Sequence, residues 1–399
     1  MSPDSPLRLI IAAGGTGGHV LPAVSLLQEL ERRKISVDVL WIGGTDGIES
    51  DAARDAGVRF VAIPTGKLRR YLDVKSARDA INIPRGMLVA RGLVRSFNPD
   101  VVFSTGGFVS VPTVFASRGR APVLTHEQTT VIGLANKINI RSANVAAMSF
   151  EQTAAQVSRP RCKVVVTGNP IRTELLEGNA ERGRTRFNFT SNLPIVFVTG
   201  GARGASPLNH RIEAILRGLL ETTQVIHQTG PMSANSDYGR LSDFRTSLPD
   251  DLADRYVVIE FIRDEIADVY AMADLLVCRA GAGTIAELTA LGKPAIMIPL
   301  PLSGGGEQVA NARALSDHAA GVVLMQDSAS PERLRSEISG LLDDPARRAR
   351  IAAAATSIGR RDAAARLADE LLTLAKYAPA PRAVAQSFPS TQVGPGGGM

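Results

Sequence analysis

The sequence is poor in aromatic side chains and cysteine, and it has no long uncharged apolar run. One tryptophan and five tyrosines are too few for the aromatic platforms on which nucleic-acid bases stack, so no nucleic-acid partner is expected. Cys162 and Cys278 lie far apart without metal-ligand spacing, which favours a reducing compartment and predicts neither a metal nor a cofactor. No apolar stretch reaches the ~18 residues of a membrane span, and the first residues lack the pattern of a secretory signal. Any membrane contact is therefore predicted to be peripheral.

The familiar phosphate-binding signatures are also absent, although the sequence is rich in glycine turns. "LIIAAGGTGGHVLPAVSLLQEL" (9–30) runs from an apolar strand through a glycine turn into a helix, yet it fits neither G-x-x-x-x-G-K-[ST] nor G-x-G-x-x-G. Similar turns follow predicted strands at "STGGFVS" (104–110), "TGGARGA" (199–205) and "RAGAGTIAEL" (279–288). Such turns expose backbone N–H groups and a helix N-terminus, both of which attract anions. Four of them predict a ligand that carries phosphate.

Short apolar runs alternate with helix-length segments along the whole chain, which predicts an α/β protein built from parallel sheets. The predicted strands are 7–12, 37–42, 59–63, 101–104, 122–125, 145–149, 163–166, 194–199, 224–227, 256–260, 275–278, 295–298 and 321–324. "LRLIIAAGGTGGH" (7–19) and "LPIVFVTGGARGA" (193–205) form a weak internal repeat, so each half is expected to be one doubly wound domain. The seam is predicted near 167–176, and the Pro-, Gly- and Ser-rich residues 378–399 are predicted to be a disordered tail.

Polar side chains follow the predicted strands of the first half. A lone histidine is usually structural, but His19, at the mouth of a cleft, would suit a base near neutral pH. The segment "THEQTTVIGLANK" (125–137) offers His126, Glu127, Gln128 and Asn136 to the same cleft.

The second half offers groups for a nucleotide sugar. The backbone amides of 281–284 suit a diphosphate, and Glu287 either binds the hydroxyls of a ribose or merely complements the helix dipole. Gln308 and Asn311, three residues apart, either bind sugar hydroxyls or cap a helix. No D-x-D motif for a divalent ion occurs, so Arg172 or Arg203 is expected to meet the charge of a leaving diphosphate.

Residues 67–95 hold eight Lys or Arg against two Asp. Such a segment is either a solvated helical face or a patch for an anionic surface.

Seven ordered blocks over roughly residues 8–375 resemble the MurG family of glycosyltransferases. They are "GGTGGHVLPA", "STGGFVSVP", "HEQTTVIGLANK", "TGNPIRTELL", "GGARGA", "FIRDEIADVYAMADLLVCRAGAGTIAEL" and "EQVANA". The resemblance implies the GT-B fold, with two Rossmann-like domains facing a central cleft. Residues 1–167 and a final helix at about 355–376 would form an acceptor domain, and 168–354 a donor domain.

The resemblance also implies an inverting transfer of N-acetylglucosamine from UDP-N-acetylglucosamine to the 4-hydroxyl of lipid I, forming lipid II. It places the protein peripherally on the cytoplasmic side of the cell membrane, with 67–95 facing anionic lipid. His19 and Glu127 are predicted to be catalytic. The predicted donor site consists of Arg172, Gly201, Ala202, Ile262 (through its backbone), Gly281, Ala282, Gly283, Thr284, Glu287, Gln308 and Asn311. The predicted acceptor site consists of Gly15, Thr16, Gly17, Gly18, Gly106, Gly107, Phe108, Gln128, Thr129 and Asn136.

Four positions depart from the family pattern. Thr129 replaces an asparagine, Ala202 a serine and Phe108 a tyrosine, while Glu307 stands where an amide is common. The alternatives are a related enzyme with another lipid acceptor, a UDP-sugar 2-epimerase and a UDP-sugar-binding regulator without turnover.

Overall fold

A computed structural model describes residues 5–377, except for 46–48, 66–73, 159–160 and 303–304. Within the helix that follows 66–73, only the backbone is described for 74–81 and 83. The tail predicted at 378–399 and the first part of the basic segment 67–95 lie outside the described residues.

The first half of the chain forms a seven-stranded parallel sheet with the order β3-β2-β1-β4-β5-β6-β7. Its strands are β1 (Leu7–Ala13), β2 (Val37–Gly43), β3 (Arg59–Ala62), β4 (Val101–Gly106), β5 (Val123–Glu127), β6 (Val145–Met148) and β7 (Lys163–Val166). Strand order reverses between β1 and β4, which pair directly. Open parallel sheets bind ligands at the carboxyl ends of the strands beside such a reversal. The glycine turns that begin at Gly14 and Gly106 lie at that point.

The second half forms a six-stranded parallel sheet with the order β10-β9-β8-β11-β12-β13. Its strands are β8 (Ile195–Thr199), β9 (Gln224–Gln228), β10 (Tyr256–Ile259), β11 (Leu275–Cys278), β12 (Ala295–Met297) and β13 (Val322–Val323). Here the order reverses between β8 and β11, where the turns at 199–205 and 279–288 lie. The predicted strands all occur, and the predicted fold class of two doubly wound α/β domains is confirmed.

Helices cover both faces of each sheet. They are α1 (Gly17–Arg32), α2 (Glu49–Asp55), α3 (Val74–Phe97), α4 (Ser110–Ala116), α5 (Leu134–Asn139), α6 (Glu151–Ala154), α7 (Ala180–Arg186), α8 (Ser206–Leu220), α9 (Asp237–Thr246), α10 (Asp250–Ala253), α11 (Ile266–Met272), α12 (Ala282–Leu291), α13 (Glu307–Ser316), α14 (Pro331–Leu342), α15 (Pro345–Ile358) and α16 (Ala363–Leu374). Two short 3-10 helices, Thr173–Glu177 and Gln326–Ser328, complete the described elements.

The inner strands are buried on both faces because each sheet lies between two helix layers, whereas the edge strands β3, β7, β10 and β13 are only partly buried. The last two helices belong to different layers. Helix α15 packs on α12 in the second half, whereas α16 packs on α1 and buries Leu367 and Leu371 in the core beside β1. The chain therefore returns to the first sheet between Gly359 and Asp362, where the Arg361 guanidinium donates to the carbonyl of Ala290.

Candidate active site

The first glycine turn presents a helix N-terminus to the cleft. Gly15 has a left-handed φ of +94°, and its N–H donates to the buried Glu49 carboxylate at 3.1 Å. The N–H groups of Gly17 and Gly18, in the first turn of α1 after Thr16, have no acceptor among the described residues. These two groups, rather than that of Gly15, are available to an anion.

The second glycine turn abuts the first one. Gly106 and Gly107 both have left-handed φ values, +90° and +76°. A Cβ on Gly107 would lie 2.5 Å from the carbonyl oxygen of Gly14, and one on Gly106 would lie 2.8 Å from Nδ2 of Asn136. Only glycine permits this approach, which brings the turns after β1 and β4 together. Phe108 follows them, half-buried.

The imidazole of His19 is held by two acceptors on one nitrogen. Its Nδ1 lies 2.9 Å from the carbonyl oxygen of Thr105 and 3.1 Å from Oε1 of Gln128. Because the carbonyl oxygen can only accept, these partners assign the proton to Nδ1. In the neutral ring, Nε2 then carries a lone pair that can take a proton.

Gln128 is oriented in turn by the fully buried His126. Nε2 of Gln128 donates to the carbonyl of Thr105 at 2.7 Å and lies 3.2 Å from Nδ1 of His126. The other His126 nitrogen, Nε2, donates to the carbonyl of Gly168 at 3.0 Å. Burial lowers the pKa of His126 to about 4, so this ring is neutral and accepts from Gln128.

The structure places Glu127 beneath the loop 128–133. Its carboxylate accepts from the N–H groups of Thr129 at 3.1 Å and Gly133 at 2.9 Å, and from Nδ2 of Asn136 at 3.0 Å. Glu127 and Asn136 are both almost completely buried. The Glu127 carboxylate therefore fixes the loop through its N–H groups and is itself held by Asn136, while Gln128 contacts His19 directly.

Asn311 connects the two halves. Its Oδ1 accepts from the N–H and the hydroxyl of Thr130 at 3.1 and 2.9 Å, and its Nδ2 donates to the carbonyl of Ala280 at 3.1 Å. Asn311 is fully buried, so in this structure its amide joins the loop 128–133 to the end of β11. Glu307 lies four residues before Asn311, within electrostatic range of His19 and Glu127, and burial raises its pKa.

A second helix N-terminus faces the first from the other sheet. Helix α12 begins at Ala282 after Gly281, and Thr284 lies in its first turn. Asn169, which lies between β7 and the 3-10 helix Thr173–Glu177, donates to the carbonyl of Ala282 at 3.2 Å. Gly283 packs against Leu21 of α1, since a Cβ there would lie 3.7 Å from the leucine methyl. The first turns of α1 and α12 therefore converge.

Glu287 and Arg172 line the small pocket between these helices, together with Gly18 and Gly283. Oε2 of Glu287 accepts from the hydroxyl of Tyr270 at 2.6 Å. Burial raises the pKa of Glu287, and the Tyr270 hydrogen bond and the Arg172 charge oppose that rise. Nε of Arg172 is buried without a partner among the described residues. An unpaired guanidinium N–H beside two helix N-termini suits an anionic ligand.

The remaining donor-side residues lie at neighbouring strand ends. The N–H of Ile262 donates to Oε1 of Gln228 at 2.9 Å, and the N–H of Gly201 donates to the hydroxyl of Thr199 at 3.0 Å. Ala202 is exposed in the turn after β8. Oε1 of Gln308 accepts from the N–H of Leu300 at 3.0 Å, which ties α13 to the end of β12.

Comparison with known proteins places the chain in a family. The N-terminal domain model of glycosyltransferase family 28 matches residues 9–148, and the C-terminal domain model of that family matches 195–367. A UDP-N-acetylglucosamine–N-acetylmuramyl-(pentapeptide) pyrophosphoryl-undecaprenol N-acetylglucosamine transferase of Lachnospira eligens is 37% identical over 339 residues, which span 84% of this chain and 91% of that protein. The chain belongs to the MurG family.

Two further MurG-family relatives agree. The enzyme of the same name from Halalkalibacterium halodurans is 34% identical over 90% of this chain and 98% of its own length. The crystal structure of Acinetobacter baumannii MurG superposes with a TM-score of 0.69 at 27% identity, covering 92% of this chain and all of that chain. The resemblance and the GT-B fold predicted from the sequence are both confirmed.

Three site residues of this MurG-family chain escaped the sequence analysis. Gln228 ends the buried strand β9, and a polar residue at a strand's carboxyl end is a signal that would have found it. Glu49 and Tyr270 carry no such signal, because each becomes significant only through a partner that is distant in sequence. At two of the departures from the family pattern, Thr129 donates its N–H to Glu127, and Ala202 is exposed.

Proposed function

We propose that this protein transfers N-acetylglucosamine from UDP-N-acetylglucosamine to the 4-hydroxyl of the muramoyl-pentapeptide of lipid I, forming lipid II. The observation that carries this proposal is the convergence, in one cleft, of two helix N-termini, an Arg172 guanidinium whose buried Nε has no partner among the described residues, and the oriented imidazole of His19. The names of the related enzymes supply the identity of the donor and the acceptor.

The donor would lie against the second sheet. Glu287 would accept from the ribose hydroxyls, the first turn of α12 (281–284) and Arg172 would hold the diphosphate, and the backbone of Ile262 would contact the uracil. Because the N–H of Ile262 is taken by Gln228, the carbonyl is the group that it offers to the base. Gln308, in the first turn of α13 beside this site, would contact the sugar.

The acceptor diphosphate would lie at the first turn of α1, on the N–H groups of Gly17 and Gly18. Nε2 of His19 takes the proton of the 4-hydroxyl as its oxygen attacks the anomeric carbon from the face opposite UDP, so the configuration inverts. UDP leaves with its new charge facing Arg172 and α12. The carboxylate of Glu307, which lies within electrostatic range of His19, would favour the imidazolium that forms, and Glu127 holds the loop that carries Gln128.

The direct test is incubation of labelled UDP-N-acetylglucosamine with a lipid I analogue, comparing wild-type protein with His19→Gln. We expect lipid II from the wild type and a kcat lower by about 10²–10⁴-fold in the variant, the usual contribution of a general base. His210→Gln, at an exposed histidine of α8, is the matched control. Near-normal turnover by His19→Gln would refute its role as base. Free sugar released without acceptor would instead indicate an epimerase.

The same protein is proposed to dock peripherally on the cytoplasmic leaflet through α3 and α4. Leu88 and Phe115 are 71% and 50% exposed, and they line one groove with Arg91, Arg118 and Arg120. Apolar side chains surrounded by cations suit an anionic lipid surface. Among the described residues, no helix combines the length and apolar character needed to span a bilayer.

Vesicle co-sedimentation tests this docking surface. Leu88→Ser should lower binding to vesicles containing an anionic phospholipid, and added salt should weaken binding by the wild type. Met232→Ser, at a comparably exposed apolar residue of the second half, is the control. Equal binding of all three proteins would contradict this part of the proposal.

A further inference from the structure

Tyr270 is a buried tyrosine whose hydroxyl contacts Glu287, the residue proposed to bind the ribose. It lies in α11 and is 3% exposed, and its oxygen is 2.6 Å from Oε2 of Glu287. The tyrosine ring packs edge-on against Phe197 of β8, with ring centroids 5.8 Å apart and planes at 86°. Because the ring is fixed by this packing, the position of the hydroxyl is fixed as well.

The hydroxyl can only act as a donor towards this carboxylate. Burial and the nearby Glu287 charge raise the pKa of Tyr270 well above its usual value, so the phenol stays protonated. Burial also raises the pKa of Glu287, which works against the ionised form, and the hydrogen bond from Tyr270 offsets part of that effect. An ionised carboxylate that uses one lone pair on Tyr270 keeps its other acceptor sites for a ligand.

We propose that Tyr270 is a positioning residue for donor binding, which fixes the Glu287 carboxylate so that its remaining lone pairs meet the two ribose hydroxyls. This inference rests on the donor site proposed above. Tyr270 acts through Glu287 and touches no reacting atom. Its removal should therefore weaken recognition of the ribose and leave the chemical step almost unchanged.

Tyr270→Phe removes the hydroxyl while keeping the ring. We expect the Kd for UDP, measured by calorimetry, to rise about tenfold, the size of one hydrogen bond to a charged group. Binding of 2′,3′-dideoxy-UDP, which lacks both hydroxyls, should stay within about twofold, since the lost orientation no longer matters. The donor KM should rise while kcat stays close to the wild-type value. As the pH is lowered, the variant should also lose UDP binding at a higher pH than the wild type does, because Glu287 protonates more readily without the hydrogen bond from Tyr270.

Tyr256→Phe is the matched control, since Tyr256 is a buried tyrosine of the same domain whose hydroxyl contacts His227 at 3.1 Å. It should leave the ratio of the two Kd values unchanged. If Tyr270→Phe folds poorly, Phe197→Leu loosens the ring while keeping the hydroxyl, and it should produce a smaller loss confined to UDP.

The outcomes separate the two proposals. A wild-type protein that binds UDP no better than the dideoxy nucleotide would overturn the proposed donor site, and the role of Tyr270 with it. A wild type that discriminates, together with a Tyr270→Phe variant that discriminates equally well, would overturn the role of Tyr270 alone. Equal weakening of both nucleotides would make Tyr270 a purely structural residue.

Discussion

The buried imidazole of His126 should make the first domain sensitive to acid. Its pKa in the folded protein is about 4, against 6.5 for the free side chain. Below about pH 6.5 the unfolded chain therefore binds more protons than the folded one, and the free energy of unfolding falls as the pH falls. The full difference is worth about 3 kcal/mol, of which about 2 kcal/mol is lost by about pH 5.

The perturbation is His126→Gln, since a glutamine Nε2 can donate to the carbonyl of Gly168 as the imidazole does but cannot titrate. Trp41 is the only tryptophan in the sequence and is fully buried in β2 of the same domain, so its fluorescence reports unfolding there. Denaturant unfolding is compared at about pH 7 and about pH 5. We expect the wild type to lose about 2 kcal/mol more than the variant between these conditions.

The exposed His210 provides the control, because His210→Gln should lose as much stability as the wild type. If His126→Gln showed the same dependence on pH as the wild type, His126 would not be held neutral by the fold. The assignment of Gln128 as the donor to a neutral His126 would then be wrong.

Three further changes test the glycine turns, the link between the halves and the phosphate site. Gly107→Ala should lose about 1–3 kcal/mol of stability, because the φ of Gly107 is left-handed and an added Cβ would meet a backbone carbonyl. The control Gly92→Ala, in open space on α3, should lose none. Equal melting temperatures of the two variants would contradict this prediction. Asn311→Leu should speed hydrogen exchange at the amide of Thr130 about tenfold or more, and unchanged exchange would show that the link carries no stability. Arg172→Met should weaken binding of UDP but not of uridine, and equal effects on both would place Arg172 away from the diphosphate.

The agreement between the predicted and observed strands has a physical cause. Strands of a parallel sheet covered on both faces are short, continuous apolar runs, and this pattern is local to each strand. The glycine turns are equally local, because a left-handed φ or a close backbone approach excludes most side chains wherever the turn lies. Parallel sheets also place strand ends on one edge, which is why His19 and the turn at 106–107 lie near each other.

What the sequence by itself determined is therefore the set of strands, the turns that follow them and the family to which they belong. Only the tertiary structure decided how individual polar groups are used. It tied Glu49 to Gly15, paired Tyr270 with Glu287 and buried Asn311 against Thr130, which is 181 residues away in the chain. A side chain's residue type limits the bonds it can make, but its actual partner depends on which distant segments pack beside it, and no local pattern records that choice.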